Sequence, residues 1–587
     1  MQDQTQYFSS IWIAVSAIKA KRGEVVTPVS FAVSDLAGHH FEIGVPKLRG
    51  VRFPPYPTGP QSLVITIDAT ELFGMHLALG WRLPERVVDL LVEFRNLTNG
   101  KLRPAVGGLA GALLWFGCST TGALHTGTSG HQLRQRLEAV TRLFHAMRST
   151  LNLGHALLRG RYLAAVARIE IVGLPIDQRL VEQLRREWGP IKQQATRIID
   201  AKFGVYPNGR FDATAFELWL QGRNIVWPVL PSGQLNLSDD AFREMARVHP
   251  EIRPLKELRT TLTVFDPNAL TLGRDGRNRT PLRPFSSSTG RNQPGAKASL
   301  LGTAAWTRHL IKPDLGTGLA VIDWRHQEFG IAAALSGDVN MMAAYRSGDP
   351  YLALAVAAGA APASSTKWSH PHVRERFKTT ALGLLNGMGA ARLACQIGCR
   401  EADARELIAA HKAQFSAFWR WSDGVENHAL LRRELNSVFG WRTSVHGDAN
   451  PRSLRNFPMQ ANGAEMLRWA SCLVAEAEIK VCAVLHDALV IEAPLIKLDS
   501  MVAVARGHMT EASAVVLDGF ELETEATLIR APDRWADPRG RAVWSAVESA
   551  LTETGRPARE RNAPCSAANP RPILLSVLKE VEPNASH

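Results

Sequence analysis

One segment, residues 374–389, constrains this chain more than any other, because charged and apolar side chains recur in it at a single spacing. The residues at every fourth position are Arg374, Lys378, Leu382 and Asn386. On a helix this spacing places them along one face, about one turn apart, and Gly387 and Gly389 then end the helix. Two cations one turn apart suit a polyphosphate, since arginine binds as a planar fork and lysine as a point charge. A solvated charged face has the same pattern, so the segment alone leaves both interpretations open.

Two apolar runs, one on each side of that segment, are followed by acidic residues. Residues 319–322 lead into Asp323, and residues 481–485 lead into His486 and Asp487. Each run predicts a buried strand, and the apolar residues after Asp487 predict a tight hairpin. If the strands are neighbours in one sheet, the two carboxylates can hold two divalent cations, roughly 3.5–4 Å apart, that clamp the oxygens of a phosphoryl displacement. An aspartate after an apolar run is common, so neither run is decisive alone.

Length and charge narrow the classes of function. The chain has 587 residues, 45% of them hydrophobic and 21% charged, which allows several globular domains. Its formal net charge is +13, so we expect a polyanionic partner, most simply nucleic acid; a merely soluble basic protein is the alternative. The six cysteines are scattered, which indicates reduced thiols rather than a zinc site. Without a bilayer-length apolar stretch or a signal-peptide pattern, we expect a cytoplasmic protein and no membrane partner.

The order of acid, cationic helix and acid resembles the three polymerase motifs of the family A DNA polymerases, the bacterial DNA polymerase I type. The matching residues are Asp323 and Glu328 in the first motif, Arg374, Lys378, Leu382 and Gly387 in the second, and His486 and Asp487 in the third. Two positions depart from the family pattern: Asn386 stands where tyrosine is usual, and Ala488 stands where glutamate is usual.

Other short matches extend the resemblance over roughly residues 155–545. Arg452, Asn456 and Gln460 reproduce the Arg-x3-Asn-x3-Gln series that in the family touches primer and template. Arg291 completes a Thr-Gly-Arg like the one that opens the family's palm. The amino-acid sequence around Asn456 resembles that of the bacterial and mobile-element branch of the family.

The resemblance implies a multidomain α/β and α+β fold. A ribonuclease H-like, exonuclease-type N-terminal domain over residues 1–150 would be followed by a right-hand polymerase over 151–552. Within the polymerase the implied parts are a thumb at about 155–262, a palm at about 263–350 and 441–552, and fingers at about 351–440. Residues 553–587 are rich in Pro, Ala, Arg, Asn and Ser and predict a disordered tail.

The N-terminal domain resembles a degenerate 3′–5′ exonuclease. Two-metal exonuclease chemistry needs several carboxylates, but the first predicted strand, around Trp12–Ile18, has none. Asp89 stands at the family's middle aspartate, within a segment, Glu85–Asn96, that we predict to be helical. We therefore expect a silent nuclease, although Asp35 or Asp68 could substitute. Residues 107–130 are rich in Gly, Ser and Thr and predict poor order.

The resemblance also implies roles for single residues. Asp323, Asp487 and the carbonyl of Trp324 would bind two Mg²⁺, and Lys378 would act in catalysis. The implied nucleotide-binding residues are Arg374, Lys378, Asn386, Glu328 and Tyr351. The implied DNA-binding residues are Arg291, Arg452, Asn456, Gln460 and His486. Tyr351 replaces a phosphate-binding histidine, and a core tyrosine is an equal interpretation; Glu328 would exclude a ribose 2′-hydroxyl.

The predicted activity is template-directed addition of dNMP to a primer 3′ end, without proofreading and with reduced selectivity because Asn386 is short. The predicted partners are primer-template DNA and dNTPs, and we expect a monomer. A catalytically impaired, polymerase-derived DNA-binding protein is the alternative. A single-subunit RNA polymerase shares the acid-cation-acid order, but Glu328 argues against it.

Overall fold

The computed structural model describes residues 4–19, 23–44, 50–101, 105–123, 129–295 and 299–554. The strands are β1 (Ser10–Lys19), β2 (Thr27–Asp35), β3 (His40–Gly44), β4 (Ser62–Thr66), β5 (Val87–Asp89), β6 (Leu174–Pro175), β7 (Arg277–Asn278), β8 (Thr317–Trp324), β9 (Glu434–Asn436), β10 (Arg442–Ser444), β11 (Lys480–Leu485), β12 (Ala488–Pro494) and β13 (Thr524–Arg530). The predicted disordered tail lies almost wholly outside the described residues.

Helices make up most of the rest. They are α1 (Ala69–Leu79), α2 (Leu90–Thr98), α3 (Gly108–Trp115), α4 (Gly130–Met147), α5 (Leu153–Val172), α6 (Gln178–Asp200), α7 (Ala213–Gln221), α8 (Asp239–Val248), α9 (Arg253–Val264), α10 (Gln327–Ser336), α11 (Val339–Arg346), α12 (Pro350–Ala357), α13 (Pro371–Leu385), α14 (Ala390–Ile397), α15 (Glu401–Gln414), α16 (Ser416–Arg432), α17 (Pro451–Glu476), α18 (Leu495–Val516) and α19 (Arg541–Thr554). Among the described residues, every helix is too short or too polar to span a bilayer.

The N-terminal sheet has the strand order β3-β2-β1-β4-β5. Strands β1, β4 and β5 run parallel, whereas β2 and β3 are antiparallel to their neighbours. Because side chains alternate along a strand, Ile13 and Val15 pack against α2–α4, while Ala14 faces α1 and α5. The sheet is therefore covered by helices on both faces.

Two local predictions in this region are wrong. Residues 87–89 form strand β5 rather than part of a helix over Glu85–Asn96, and α2 begins only at Leu90. Asp89 decides this boundary, because its carboxylate accepts the backbone N–H groups of Leu91 and Val92 as a helix cap. Within residues 107–130, predicted to be poorly ordered, Gly108–Trp115 forms helix α3, whose apolar side chains join the core; residues 124–128 lie outside the described ranges.

Helix α5 connects the N-terminal sheet to the rest of the molecule. It packs against α1 and β5 on one side and against α17 and β11 on the other. A buried ion pair between Arg159 of α5 and Glu93 of α2, 2.6 Å long at its Nε–Oε1 contact, ties the same helix to the N-terminal sheet. Both side chains are almost fully buried, so loss of either partner would leave an uncompensated charge.

The central sheet has the order β11-β12-β8-β13, and every neighbouring pair is antiparallel. Ala320, Ile322 and Ile491 share a core with the apolar side of α18. Leu319 and Val490 belong instead to a second core, which contains α6, α9 and α19. Helices α10–α16 follow β8 in the chain, and Phe329, Phe377 and Phe418 from these helices belong to the first of these cores. The predicted hairpin at His486-Asp487 and the predicted strand before Asp323 are confirmed.

Candidate active site

Two aspartates meet at one edge of the central sheet. Asp323 is the penultimate residue of β8, and Asp487 is the last residue of the turn between β11 and β12. Leu489 pairs with Ile322, so continuing the antiparallel register brings the start of β12 beside Asp323. His486 adopts a left-handed φ of 55°, which makes the two-residue turn tight. The structure therefore brings together two acids that are far apart in the sequence.

Burial and neighbouring charges act on both carboxyl groups. Burial, followed by the negative charge of Asp487, raises the pKa of Asp323 to about 7. Glu525, which pairs with Asp323 across β8 and β13, adds to that repulsion. Burial also raises the pKa of Asp487, while the charges of Arg291 and His486 oppose the shift.

Asp323 has an unsatisfied oxygen. Its Oδ1 is buried and accepts no hydrogen bond from any described residue, although buried carboxylate oxygens nearly always have a partner. A hard divalent cation that prefers oxygen ligands would satisfy this atom and relieve the repulsion from Asp487. In the described ranges there is no group of three or more His, Cys, Asp or Glu side chains arranged to hold a metal. The aspartate pair thus fits divalent cations whose remaining ligands are backbone, water or substrate oxygens.

Helix α13 presents the predicted cations. It begins after His370, with Pro371 in its first turn, and runs to Leu385. Arg374 forms an ion pair through Nε with Asp349, the residue that precedes α12. Lys378 forms no ion pair with any described residue. Lys378 lines a cavity of about 530 Å³.

That cavity gathers predicted site residues from three helices. Glu328 of α10, Lys378 of α13, Asn386 directly after α13 and Arg452 of α17 all line it. The cavity is also lined by Glu375 of α13, by Arg247 and Glu244 of α8 and by Arg392 of α14, and Glu244 and Arg392 are ion-paired. Four cationic and three glutamate side chains line the cavity, so its net charge is slightly positive, which suits an anionic ligand.

The end of α13 contacts α17 through two asparagines. Asn456 donates from Nδ2 to Oδ1 of Asn386 at 3.3 Å, and Asn386 donates back to the carbonyl of Leu382 at 2.9 Å. Gly387 has a left-handed φ of 72°, and a Cβ there would lie 3.0 Å from Cγ of Arg452. Asn386, Arg452 and Asn456 are therefore neighbours, and the turn after α13 needs glycine to pass Arg452.

A second cavity lies under the His486-Asp487 turn. It has a volume of about 300 Å³ and is lined by Arg291, His486 and Asp487, together with the buried Gln327. Arg291 donates from Nε to the backbone carbonyl of Gln460 at 3.3 Å. The side chains of Arg291 and His486 are thus brought to Asp487, and Gln460 lies next to them on α17.

Residues 300–532, which contain β8, α13 and the β11–β12 hairpin, match the family model described as DNA polymerase family A. This part of the chain is therefore similar to DNA polymerase family A. Proteins of that family are DNA-directed DNA polymerases, which are nucleotidyltransferases and generally use divalent metal ions.

The relatives of this chain are distant in sequence. The DNA polymerase I of Aquifex aeolicus is 23% identical over 406 residues, which are 65% of this chain and 67% of that protein. The thermostable DNA polymerase I of Thermus thermophilus is 23% identical over 375 residues, 59% of this chain and 44% of that protein. The chain therefore spans less than half of the Thermus relative it matches.

The fold likeness extends further than the sequence match. The structure of the POL domain of Pol1 from M. smegmatis, in complex with DNA primer-template and dNTP, superimposes with a TM-score of 0.69. The superposition covers 90% of this chain and 96% of that chain at 19% sequence identity. The mixed α/β fold of a family A polymerase domain is thereby shown, whereas the nuclease ancestry of the N-terminal sheet stays a prediction.

Trp324 and Tyr351, two of the predicted site residues, are buried. Trp324 packs in the core and donates from its indole to the carbonyl of Met509 at 3.1 Å, so only its backbone is available to a metal. Tyr351 is 2% exposed, and its ring lies edge-on to His326 at 4.9 Å. Its burial fits the interpretation as a core tyrosine, and direct contact of its hydroxyl with a phosphate stays a prediction.

Sequence reasoning missed Asp349 and His326. Asp349 accepts the N–H of Leu352 at 3.2 Å as the cap of α12, and an aspartate before a proline at a helix start is the signal that could have found it. His326 has a left-handed φ of 52° at the start of α10, and no sequence pattern predicts that.

Proposed function

We propose that this chain is a template-directed DNA polymerase that adds dNMP to a primer 3′ end by a two-metal mechanism with Mg²⁺. The observation that carries the proposal is the pair formed by Asp323 and Asp487, together with the buried, unsatisfied Oδ1 of Asp323. The family match over residues 300–532 supports the same reaction.

Asp323 and Asp487 would hold the metal ions, with the Trp324 carbonyl as an additional ligand. When bound, Mg²⁺ supplies Lewis-acid stabilisation of the attacking 3′ oxygen and of the leaving pyrophosphate. Burial from water strengthens the attraction between the two carboxylates and any cation they hold. Ala488, which replaces the family's glutamate, leaves both of these carboxylates in place.

Helix α13 would bind the triphosphate. Arg374 would hold the γ-phosphate with its guanidinium, and Lys378 would contact the phosphates and donate a proton to the pyrophosphate as it leaves. Glu328, which lines the same cavity as Lys378, would occupy the space of a ribose 2′-hydroxyl and so exclude ribonucleotides. Tyr351 would complete the nucleotide pocket.

The primer-template would lie along α17 and the β11–β12 turn. Arg452, Asn456 and Gln460 recur one turn apart on α17, and Arg291 and His486 stand beside Asp487. Contacts of this kind position the duplex without reading its sequence. The net charge of +13 supports a DNA partner, and we expect the enzyme to act as a cytoplasmic monomer.

Primer extension tests the proposal directly. The full chain should extend a labelled primer on a template with dNTPs and Mg²⁺, and NTPs should be used at least about 10²-fold less efficiently because Glu328 blocks the 2′-hydroxyl. DNA binding without extension would favour the alternative, a polymerase-derived binding protein. Preferred use of NTPs would indicate an RNA polymerase.

The same assay tests proofreading. We expect no shortening of the labelled primer in Mg²⁺ without nucleotides, because the first strand of the N-terminal sheet carries no carboxylate. Time-dependent 3′ degradation that survives Asp487→Asn would show a working nuclease in the N-terminal sheet.

Asn386 predicts low selectivity. In its place a tyrosine ring would pack beside the sugar and base, whereas Asn386 is held by Asn456 and Leu382. Asn386→Tyr should lower misincorporation by about tenfold, a change worth roughly 1.4 kcal/mol in transition-state discrimination. An unchanged misincorporation frequency in a single-nucleotide insertion assay would count against this role.

A further inference from the structure

Arg374 is held from two directions. Its Nε is ion-paired with Asp349, and its Cζ lies 5.5 Å from the centre of the Tyr351 ring. Nearly four fifths of each charged side chain is removed from solvent, with 19% exposed for Arg374 and 21% for Asp349. The guanidinium is therefore fixed at its edge by a carboxylate and on its face by an aromatic ring.

Both supports are themselves anchored. The other carboxylate oxygen of Asp349, Oδ1, accepts the backbone N–H of Leu352 as the cap of α12. Tyr351 is braced by the ring of His326 at 4.9 Å and by the ring of Phe329 at 6.3 Å, both edge-on. An arginine held by fixed partners loses less side-chain entropy when it binds a ligand.

The contact with Asp349 leaves the phosphate-binding end of Arg374 available. The hydrogen bond to Asp349 uses Nε, and neither terminal nitrogen of Arg374 forms a hydrogen bond with a described residue. Those two terminal N–H₂ groups form one edge of the guanidinium fork, which can bind two oxygens of a phosphate. The ion pair with Asp349 therefore orients the arginine without consuming that edge.

We propose that Asp349 is a positioning residue for nucleotide binding, which holds Arg374 ready for the triphosphate, and that Tyr351 acts through its ring under Arg374 rather than through its hydroxyl. This inference rests on the proposed function, because it takes Arg374 as the triphosphate ligand. It assigns to Asp349 a role beyond capping α12.

Two substitutions separate orientation from capping. Serine and asparagine both cap helices well, so Asp349→Ser and Asp349→Asn should each preserve α12. The serine hydroxyl is too short to reach Arg374. Asparagine has a single acceptor oxygen, so when that oxygen caps α12 its amide nitrogen faces Nε of Arg374, where it cannot accept a hydrogen bond. We expect KM for dNTP to rise about tenfold in both variants, with kcat changed less than twofold.

A chain that lacks the Arg374 side chain provides the control. In an Arg374→Ala chain, Asp349→Ser should raise KM no further, since the residue it positions is gone. Asp212→Ser, at the cap of α7 in another helical region, should leave KM unchanged. A KM increase of less than twofold in Asp349→Ser, or an increase that persists in the Arg374→Ala background, would overturn the proposal.

Tyr351→Phe tests the aromatic support. This variant keeps the ring and removes the hydroxyl, so KM should stay within twofold of wild type, whereas Tyr351→Leu should raise it several-fold. A rise in KM for Tyr351→Phe as large as that for Tyr351→Leu would assign the effect to the hydroxyl and contradict this part of the inference.

Ligand binding without turnover distinguishes this inference from the proposed function. Inorganic tripolyphosphate should raise the Tm of the wild-type chain more than that of Asp349→Ser, whether or not the chain extends a primer. If the wild type fails to extend primers yet shows this difference, the proposed reaction falls and the positioning role stands. Equal Tm increments in the two chains would reject the positioning role even in an active polymerase.

Discussion

The central sheet and the N-terminal sheet both carry buried acids near strand ends, but the acids have different partners. In the N-terminal sheet, Asp89 accepts three backbone N–H groups at 2.8–3.0 Å, from Ala69, Leu91 and Val92. In the central sheet, Oδ1 of Asp323 accepts none from the described residues. One acid completes the ends of helices, and the other leaves an oxygen that a cation could satisfy.

The pKa values alone do not separate the two regions. Burial and a neighbouring acid raise the pKa of Asp89 to about 7, as they do for Asp323. Burial and the charge of nearby Asp68 also raise the pKa of Glu71 to about 7, but its carboxylate accepts a hydrogen bond from the hydroxyl of Ser16 at 3.0 Å. Hydrogen-bond satisfaction, rather than a shifted pKa, therefore distinguishes the candidate metal site from the acids of the N-terminal sheet.

The largest expected difference between the regions is in activity. Asp323→Asn or Asp487→Asn should reduce primer extension by about 10³-fold or more, because each removes charge that stabilises the transition state through the metals. Asp89→Asn, assayed well below its Tm, should keep the rate within twofold. If Asp89→Asn lost as much activity as Asp323→Asn, the proposed division between the sheets would fail.

The second difference is in stability, with the opposite ranking. Asp89→Ala should lower the free energy of unfolding by about 2 kcal/mol, since it leaves buried N–H groups without an acceptor. Asp323→Ala, in metal-free buffer at pH 8, should cost nothing or stabilise, since it removes a repelled charge. Thermal scanning of the two variants beside the wild type checks this ranking, and a larger loss for Asp323→Ala would reverse our interpretation.

The third difference is in the response to pH and metal. A carboxyl that ionises near pH 4 unfolded and about 7 folded makes the folded state bind more protons between those values, so stability falls as pH rises through that window. Mg²⁺ should offset the loss at Asp323, raising the Tm by about 3 °C at pH 8 and less at pH 6. Asp323→Asn should abolish the Mg²⁺ increment, and Glu71→Gln should retain it. If Glu71→Gln rather than Asp323→Asn abolished the Mg²⁺-dependent increase in Tm, the metal would be placed in the N-terminal sheet.

The smallest effect is expected for Glu71→Gln itself. It removes the repulsion from Asp68 while the amide keeps an acceptor for Ser16, so the Tm at pH 8 should rise by about 1–2 °C. At pH 4, where the wild-type side chain is already neutral, the two chains should melt together. A Tm gain of equal size at both pH values would mean that charge is not its cause.

Local patterns predicted much of the region that matches the family model, because the interactions involved are short-range. The apolar runs around Asp323 and Asp487 correctly predicted strands, and the fourfold spacing correctly predicted α13. The same reasoning failed at Glu85–Asn96, where three residues join the N-terminal sheet as β5. A segment that short gains its strand conformation from pairing with β4 rather than from its own periodicity.

The sequence by itself determined which residues have the chemistry for phosphoryl transfer: two aspartates at strand ends and two cations one helical turn apart. Only the tertiary structure decided which oxygen is left unsatisfied, that Asp349 holds Arg374, and that Asn456 reaches Asn386 from 70 positions away. The reason is physical. Side-chain type and helical spacing are properties of neighbouring residues, whereas hydrogen-bond satisfaction and burial depend on every segment that packs around an atom.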